Sequence, residues 1–203
     1  MRLIVSGTGT GVGKTVVASA LTRALAQRGP TKGIKPYETG VGDEAHDANG
    51  LARAAGQPCI HPYFRAPAPL APAAFDDVPT IDAIAAQIRQ DIATTEHAVV
   101  ESAGGLFVPV APGKLFADLA AVLELPIVLV TYDGLGTLSH TLATLEAARA
   151  RALPIQALVL NQGIDADPSR EFNYKLCPNT AMFPSSSFHI QTQASSTHAR
   201  SRS

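Results

Sequence analysis

A glycine-rich segment near the start of the chain constrains the fold more than any other feature. It reads GTGTGVGKT over residues 7–15 and joins the apolar run Leu3-Ile4-Val5 to a stretch with helical apolar spacing. Glycines in such a turn let backbone N–H groups face a phosphate chain, and the following helix adds a favourable dipole. Lys14 and Thr15 then stand where phosphates and Mg²⁺ are bound. The segment predicts a phosphate-binding loop, although strict Walker spacing would place a glycine at Thr8.

The rest of the chain alternates apolar runs with amphipathic stretches. Strands are predicted near residues 3–5, 33–35, 98–101, 126–130 and 155–160, and helices near 15–27, 46–55, 81–92, 116–123 and 137–151. The Pro-rich stretch 62–79 is typical of a long surface loop. Apolar strands separated by helices favour a three-layer α/β fold, a P-loop NTPase-like, mostly parallel sheet with helices on both faces. Ligands of such sheets gather at the carboxyl ends of the strands.

Composition narrows the class of protein. The 203 residues are 46% hydrophobic and 16% charged with a net charge of −1, which excludes wholesale disorder and fits one domain. The first 165 residues carry no basic stripe, so we expect no nucleic-acid partner. No run approaches the roughly 20 apolar residues of a membrane span. Cys59 and Cys177 lie too far apart for a zinc or disulfide motif, so we expect a cytoplasmic protein.

Polar residues follow the predicted strands. Lys35, in the segment KPYETG, is placed to stabilise negative charge, or is an ordinary surface lysine. Asp47 and Glu101 offer the oxygen ligands that Mg²⁺ prefers, although Asp47 fits a helix cap equally well. Asn161 ends the last clear strand, where it reads a purine edge or simply makes a turn.

Taken in order, these motifs resemble the dethiobiotin synthetase family. That family shows GTDTxVGKT, a Lys-Pro segment ending in Thr or Ser and Gly, Asp-Ala opening a helix, EGAGG, LGTxNHT, and Asn after the next strand. The corresponding segments here lie at 7–15, 35–40, 47–48, 101–105, 135–141 and 161. The resemblance covers residues 1 to about 164, which we take as the P-loop ATP-dependent ligase domain.

The resemblance implies a role for each matching residue. The predicted catalytic residues are Lys35, Lys14 and Thr10. The predicted nucleotide-binding residues are Gly11, Val12, Gly13, Lys14, Thr15, Val16, Glu101 and Asn161. The predicted substrate-binding residues are Thr39, Ala103, Gly104, Gly105, Gly136 and Ser139. The predicted magnesium ligands are Thr15, Asp47 and Glu101.

The resemblance also implies the reaction. Enzymes of the family join 7,8-diaminononanoate, CO₂ and ATP into dethiobiotin, ADP and phosphate in biotin biosynthesis, with Mg²⁺ as cofactor and ATP as co-substrate. A carbamate and a carbamic-phosphoric anhydride are the intermediates. Phosphoryl transfer needs mainly positioning and charge neutralisation, which two lysines and backbone N–H groups supply. The family is a homodimer with substrate near the interface, so Gly136 and Ser139 are expected to serve the partner subunit.

The chain departs from the family pattern in four places. Gly9 stands where Asp is usual, which removes a carboxylate near the metal, and Ser102 and Ser139 replace Gly and Asn. Residues 165–203 show no helix-strand-helix pattern, and no Asp or Glu occurs after Glu171. Two interpretations of this tail remain open. One is a diverged, mostly disordered terminus, and the other is a reading-frame shift near residues 165–172, with the last strand and helix missing.

Two alternative functions also stay open. One is a P-loop switch ATPase of the partitioning or maturation type, which uses nucleotide to control dimerisation. Such proteins usually carry an earlier lysine in the loop, where this chain has Thr8 and Gly9. The other is a catalytically impaired paralogue that folds without turning over.

Overall fold

The computed structural model describes residues 1–42, 46–58, 60–162, 167–177 and 180–183, the last range by its backbone alone. The strands are β1 (Arg2–Gly7), β2 (Thr31–Ile34), β3 (Tyr37–Thr39), β4 (Phe64–Ala66), β5 (His97–Glu101), β6 (Pro109–Ala111), β7 (Lys114–Leu115), β8 (Ile127–Tyr132), β9 (Ile155–Asn161) and β10 (Thr180–Phe183). The helices are α1 (Lys14–Ala26), α2 (His46–Ala55), α3 (Ile81–Ile92), α4 (Phe116–Leu123), α5 (Thr137–Ala150) and α6 (Arg170–Leu176).

Six of these strands form one parallel sheet in the order β10-β9-β8-β1-β5-β2. All of their carboxyl ends therefore meet at one edge. The register brings Ile34 beside Val100 and Val5 beside Glu101. Lys35, Glu101 and the glycine-rich loop after β1 consequently lie next to one another. The predicted fold class, a mostly parallel sheet in an α/β protein, is confirmed.

Successive residues of each strand point to opposite faces of the sheet, and each face is covered by helices. Leu3 and Val5 pack with Val17 of α1 and Leu51 of α2 in one buried cluster. On the opposite face, the side chains in contact with Ile4 belong to a second cluster that includes residues of α3, α4 and α5. This arrangement gives the three predicted layers.

Four short strands that the sequence did not predict form two small sheets separate from the central one. β3 and β4 pair in parallel, and β6 and β7 form an antiparallel pair. The Pro-rich stretch contains β4 and a single-turn 3-10 helix, Pro72–Ala74, rather than being loop throughout. Strands of two or three residues are too short to show a hydrophobic period, so their pairing depends on tertiary contacts.

The expectation that residues 165–203 contain no helix and strand was wrong over residues 170–176 and 180–183. α6 covers Arg170–Leu176, and β10 extends the sheet beside β9. The helix was missed because polar contacts hold it: Nδ2 of Asn173 donates to Oδ1 of the fully buried Asp133 at 2.9 Å. Residues 184–203, which make up most of the tail that the two interpretations concern, lie outside the described residues. Cys59 lies outside them as well. Across the described ranges, no helix combines the length and apolar character needed to cross a bilayer.

Candidate active site

The glycine-rich loop turns around its own lysine. Gly11 and Gly13 adopt φ angles of 76° and 92°, a left-handed conformation that glycine adopts without strain. A Cβ on Gly13 would lie 2.0 Å from Nδ2 of Asn161, so a larger residue would also have to displace the Asn161 side chain. The Lys14 ammonium donates to the carbonyl of Gly9 at 2.8 Å. The loop therefore wraps the start of α1 as the sequence predicted.

A charge cluster built on the buried side chains of Lys35 and Glu101 lies beside this loop. The ammonium of Lys35 is 2.7 Å from Oε1 of Glu101 and 2.8 Å from Oδ2 of Asp47. It also donates to the carbonyl of Ser102 at 3.2 Å. The hydroxyl of Thr15 donates to the same Glu101 oxygen at 2.7 Å. The strand ends thus bring together three predicted magnesium ligands and the predicted catalytic lysine.

Burial and neighbouring charges shift the pKa values of these groups in different directions. Burial, reinforced by the charge of Lys35, lowers the pKa of Lys14 to about 8. Burial also acts to lower the pKa of Lys35, but Glu101 and Asp47 outweigh it, so that pKa is raised. Burial raises the pKa of Glu101 although Lys35 opposes the shift. Lys35 therefore keeps its positive charge, while the lowered pKa of Lys14 lets it lose its proton at mildly alkaline pH.

One cleft of about 440 Å³ opens over the loop and the cluster. Twelve predicted site residues line it: Thr10, Gly11, Gly13, Lys14, Thr15, Val16, Lys35, Thr39, Asp47, Glu101, Ala103 and Gly104. The two lysines and two acids therefore face the same space. Such a volume is of the size that small-molecule sites have.

Five predicted site residues do not line this cleft. Val12 packs in the core, and its carbonyl accepts a hydrogen bond from Nδ2 of Asn161 at 3.1 Å. Gly105 lies behind the loop, where an added Cβ would be 3.2 Å from the carbonyl oxygen of Gly7. Gly136 and Ser139 lie exposed at the amino end of α5. In the turn after β5, Ala103 and Gly104 thus line the cleft, whereas Gly105 packs against the glycine-rich loop.

The cleft has walls that the sequence did not reveal. They are formed by Tyr37, Glu38, Pro69, Leu70, Ala71, Pro72 and Val108. Tyr37 and Glu38 lie in the segment KPYETG between the predicted site residues Lys35 and Thr39. That position in the motif was the signal from which they could have been predicted. The Pro-rich wall carried no chemical signal, because apolar lining residues look like any other loop or core residue.

The donor set fits a magnesium ion. Oε2 of the buried Glu101 has no hydrogen-bond partner among the described residues. Together with the Asp47 carboxylate and the Thr15 hydroxyl it offers the hard oxygen ligands that Mg²⁺ takes alongside phosphates and water. The described residues contain no group of three or more His, Cys, Asp and Glu that could hold a metal ion. Any metal here would consequently rely on phosphate oxygens as well.

The parallel sheet, the glycine loop after β1 and Lys14 at the start of α1 define a P-loop nucleotide-binding protein. Two solved structures share this fold. The septum site-determining protein MinD from Pyrococcus horikoshii OT3 has a TM-score of 0.55 and 16% identity, covering 91% of this chain and 82% of that one. A ParA family ATPase from Chlorobium tepidum TLS has a TM-score of 0.56 and 15% identity, covering 89% and 82%. At these identities the likeness shows the fold alone.

Sequence relatives narrow the class. A family model described as an AAA domain matches residues 1–187. The chain is 45% identical over 182 residues to the ATP-dependent dethiobiotin synthetase BioD of Anaeromyxobacter dehalogenans strain 2CP-C, covering 84% of this chain and 81% of the relative. It is 41% identical over 169 residues to BioD of Mycobacteroides abscessus, covering 78% and 72%. The chain belongs to the ATP-dependent dethiobiotin synthetase family, which confirms the resemblance of its motifs.

Proposed function

We propose that this protein is an ATP-dependent ligase that carboxylates 7,8-diaminononanoate and closes it to dethiobiotin. One observation carries the proposal: Lys14 and Lys35 line the same cleft, beside Thr15, Asp47 and Glu101. This is the charge arrangement that phosphoryl transfer to a carbamate needs. Membership of the family supplies the identity of the substrate.

The reaction proceeds in three balanced steps. One substrate amine attacks CO₂ and loses a proton, giving a carbamate. A carbamate oxygen then attacks the γ-phosphorus of ATP, and ADP leaves. Finally the second amine attacks the carbonyl carbon of the anhydride, loses a proton and expels inorganic phosphate. No protein nucleophile takes part, because the diamine supplies both attacking nitrogen atoms and CO₂ supplies the carbamate oxygen that attacks the γ-phosphorus.

The lysines supply charge where charge develops. We assign Lys35 to the carbamate and the transferred phosphoryl group, since Glu101 and Asp47 keep it protonated. Lys14 reaches the β- and γ-phosphates, and Thr10 completes the phosphate contacts at the mouth of the loop. Backbone N–H groups of Gly11, Gly13 and their neighbours hold the remaining phosphate oxygens. Val12 and Val16 act through backbone position and by flanking the loop.

Thr15, Asp47 and Glu101 would hold Mg²⁺. Bound there, the ion would neutralise charge on the phosphate oxygens of ATP. Oε2 of Glu101 is buried and has no hydrogen-bond partner in the described part of the chain, so it is available as a metal ligand. Its contact with Thr15 keeps that ligand's hydroxyl oriented toward the same point.

The remaining residues are assigned to recognition. Thr39, Ala103 and Gly104 line the cleft and would contact the diamine and its carbamate, and Gly105 supports that wall from behind. Asn161 would contact adenine, on the side of the loop that it already touches through Val12. We further propose a cytoplasmic homodimer in which Gly136 and Ser139 bind the substrate carboxylate held by the partner subunit.

The test is phosphate release from ATP with Mg²⁺ and bicarbonate, measured with and without the diamine, together with mass spectrometry of the product. Release that requires the diamine, with dethiobiotin formed, supports the proposal. Release without the diamine supports the switch ATPase instead. No release at all identifies an impaired paralogue.

A further inference from the structure

Glu38 is an acidic residue that lines the cleft and has no role in the proposed reaction. It lies in β3 and is only 4% exposed. Its Oε1 accepts the backbone N–H of Asp47, in the first turn of α2, at 2.6 Å. The amino ends of helices leave such N–H groups without partners, and a side-chain oxygen usually satisfies them.

The capping residue of α2 lies farther away along the chain than those of the other side-chain caps in the described helices. Thr80 accepts from Ala83 at the start of α3, and Asp118 accepts from Leu115 at the start of α4. Both are local contacts within three residues. Glu38 instead reaches α2 from a strand nine residues earlier, so it ties the helix to the segment that carries Lys35.

Asp47 is consequently held at two points. Its carboxylate pairs with Lys35 at 2.8 Å, and its backbone is held by Glu38. The side chain of Asp47 is 36% exposed, so packing alone leaves it several rotamers. Two contacts from one segment restrict both its backbone and its carboxylate.

Helix capping alone does not account for a carboxylate at this position. Oε2 of Glu38 is buried and has no hydrogen-bond partner among the described residues. A buried carboxylate with one unsatisfied oxygen carries a desolvation cost that a neutral hydroxyl cap avoids. What the long side chain of Glu38 provides, and a short one does not, is reach from β3 to the start of α2.

We propose that Glu38 is a positioning residue that sets Asp47 for metal binding at this cleft. Outer partners of metal ligands commonly fix the geometry of the ligand in this way. The inference rests on the proposed function for the role of Asp47. It adds a residue whose contribution lies in the reach of its acceptor oxygen rather than in its charge.

Two substitutions separate reach from charge. Glu38→Gln keeps an acceptor oxygen at the same distance and removes the charge. Glu38→Asp keeps the charge and shortens the side chain by one methylene. Mn²⁺ binding to the protein with ADP, followed by electron paramagnetic resonance, reports the site without turnover. The Mg²⁺ concentration for half-maximal diamine-dependent phosphate release is the second readout. Asp118→Ala, which removes the side-chain cap of α4, is the structural control.

We expect Glu38→Asp to weaken Mn²⁺ binding about tenfold and to raise the Mg²⁺ requirement similarly. Glu38→Gln should stay close to the unaltered protein, and Asp118→Ala should lower the melting temperature without changing Mn²⁺ binding. The reverse order of Gln and Asp, or no effect of either, overturns the inference, as does an unaltered protein that binds no Mn²⁺ with ADP. Mn²⁺ binding without any diamine-dependent turnover would defeat the proposed function alone.

Discussion

The ammonium of Lys35 lies 2.7 Å from Oε1 of Glu101, and the Glu101 side chain is fully buried. The contact follows from the parallel pairing of β2 with β5, which places the residues after Ile34 and Val100 side by side. Removing one partner of such a buried pair leaves an uncompensated charge, with a typical loss of about 3–5 kcal/mol in stability. The pair thus serves the fold and the candidate site together.

Lys35→Ala should nearly abolish diamine-dependent phosphate release, with a loss of kcat of at least about 100-fold. Nucleotide binding should persist, because Lys14 and the loop N–H groups remain. Lys35→Met preserves the apolar stem and serves where the alanine variant is too unstable. Steady-state kinetics and nucleotide titration measure the two effects, with Lys32→Ala as the matched lysine control. Unchanged turnover in a folded variant would remove the assignment of Lys35.

The pH dependence should follow Lys14. Its pKa of about 8 means that it is protonated below pH 8 and loses its charge above it. The value of kcat/KM for ATP should therefore fall as pH rises through about 8, because kcat/KM reports the free enzyme. The kcat profile should turn down at higher pH, since bound phosphates stabilise the ammonium. A kcat/KM that stays level to pH 10 would contradict the lowered pKa.

Two glycines of the loop should respond oppositely to substitution. Gly13→Ala should abolish nucleotide binding and lower stability by more than about 1 kcal/mol, because φ is 92° and the new Cβ would meet Asn161. Gly9→Asp should be tolerated, since a Cβ there meets nothing within 4 Å. It also restores the family's carboxylate and should lower the Mg²⁺ requirement. Thermal denaturation and Mg²⁺ titration of both variants make the comparison, and equal damage by the two would refute it.

The polar docking of α6 should contribute to stability. Asn173→Ala removes the hydrogen bond to the buried carboxylate of Asp133 and should lower the free energy of unfolding by about 1–3 kcal/mol. Phe172→Ala, at a neighbouring side chain that is 58% exposed, is the control and should change little. Urea denaturation of both variants measures the difference. If Asn173→Ala unfolds at the same urea concentration as the unaltered protein, α6 is not docked as described.

Much of the site could be predicted because its parts belong to short, contiguous motifs at strand ends. The loop at residues 7–15, Lys35 and Glu101 each follow a recognisable apolar strand, and parallel strands bring their carboxyl ends together. Glu38 was missed because a single acid in a three-residue strand has no periodic signal. The docking of α6 was missed because it depends on Asn173 meeting Asp133, 40 residues earlier in the chain.

The sequence by itself determined five strands and five helices of the core in their order along the chain, the phosphate-binding loop and the family. These depend on hydrophobic period and on glycines at fixed spacing, both of which are local properties. Only the tertiary structure decided that Lys35 lies between Glu101 and Asp47, that Glu38 holds Asp47, and that Pro69–Pro72 forms a wall of the cleft. Those facts arise when distant segments are buried together, where a charge or hydrogen-bond donor must find a partner that the linear pattern does not specify.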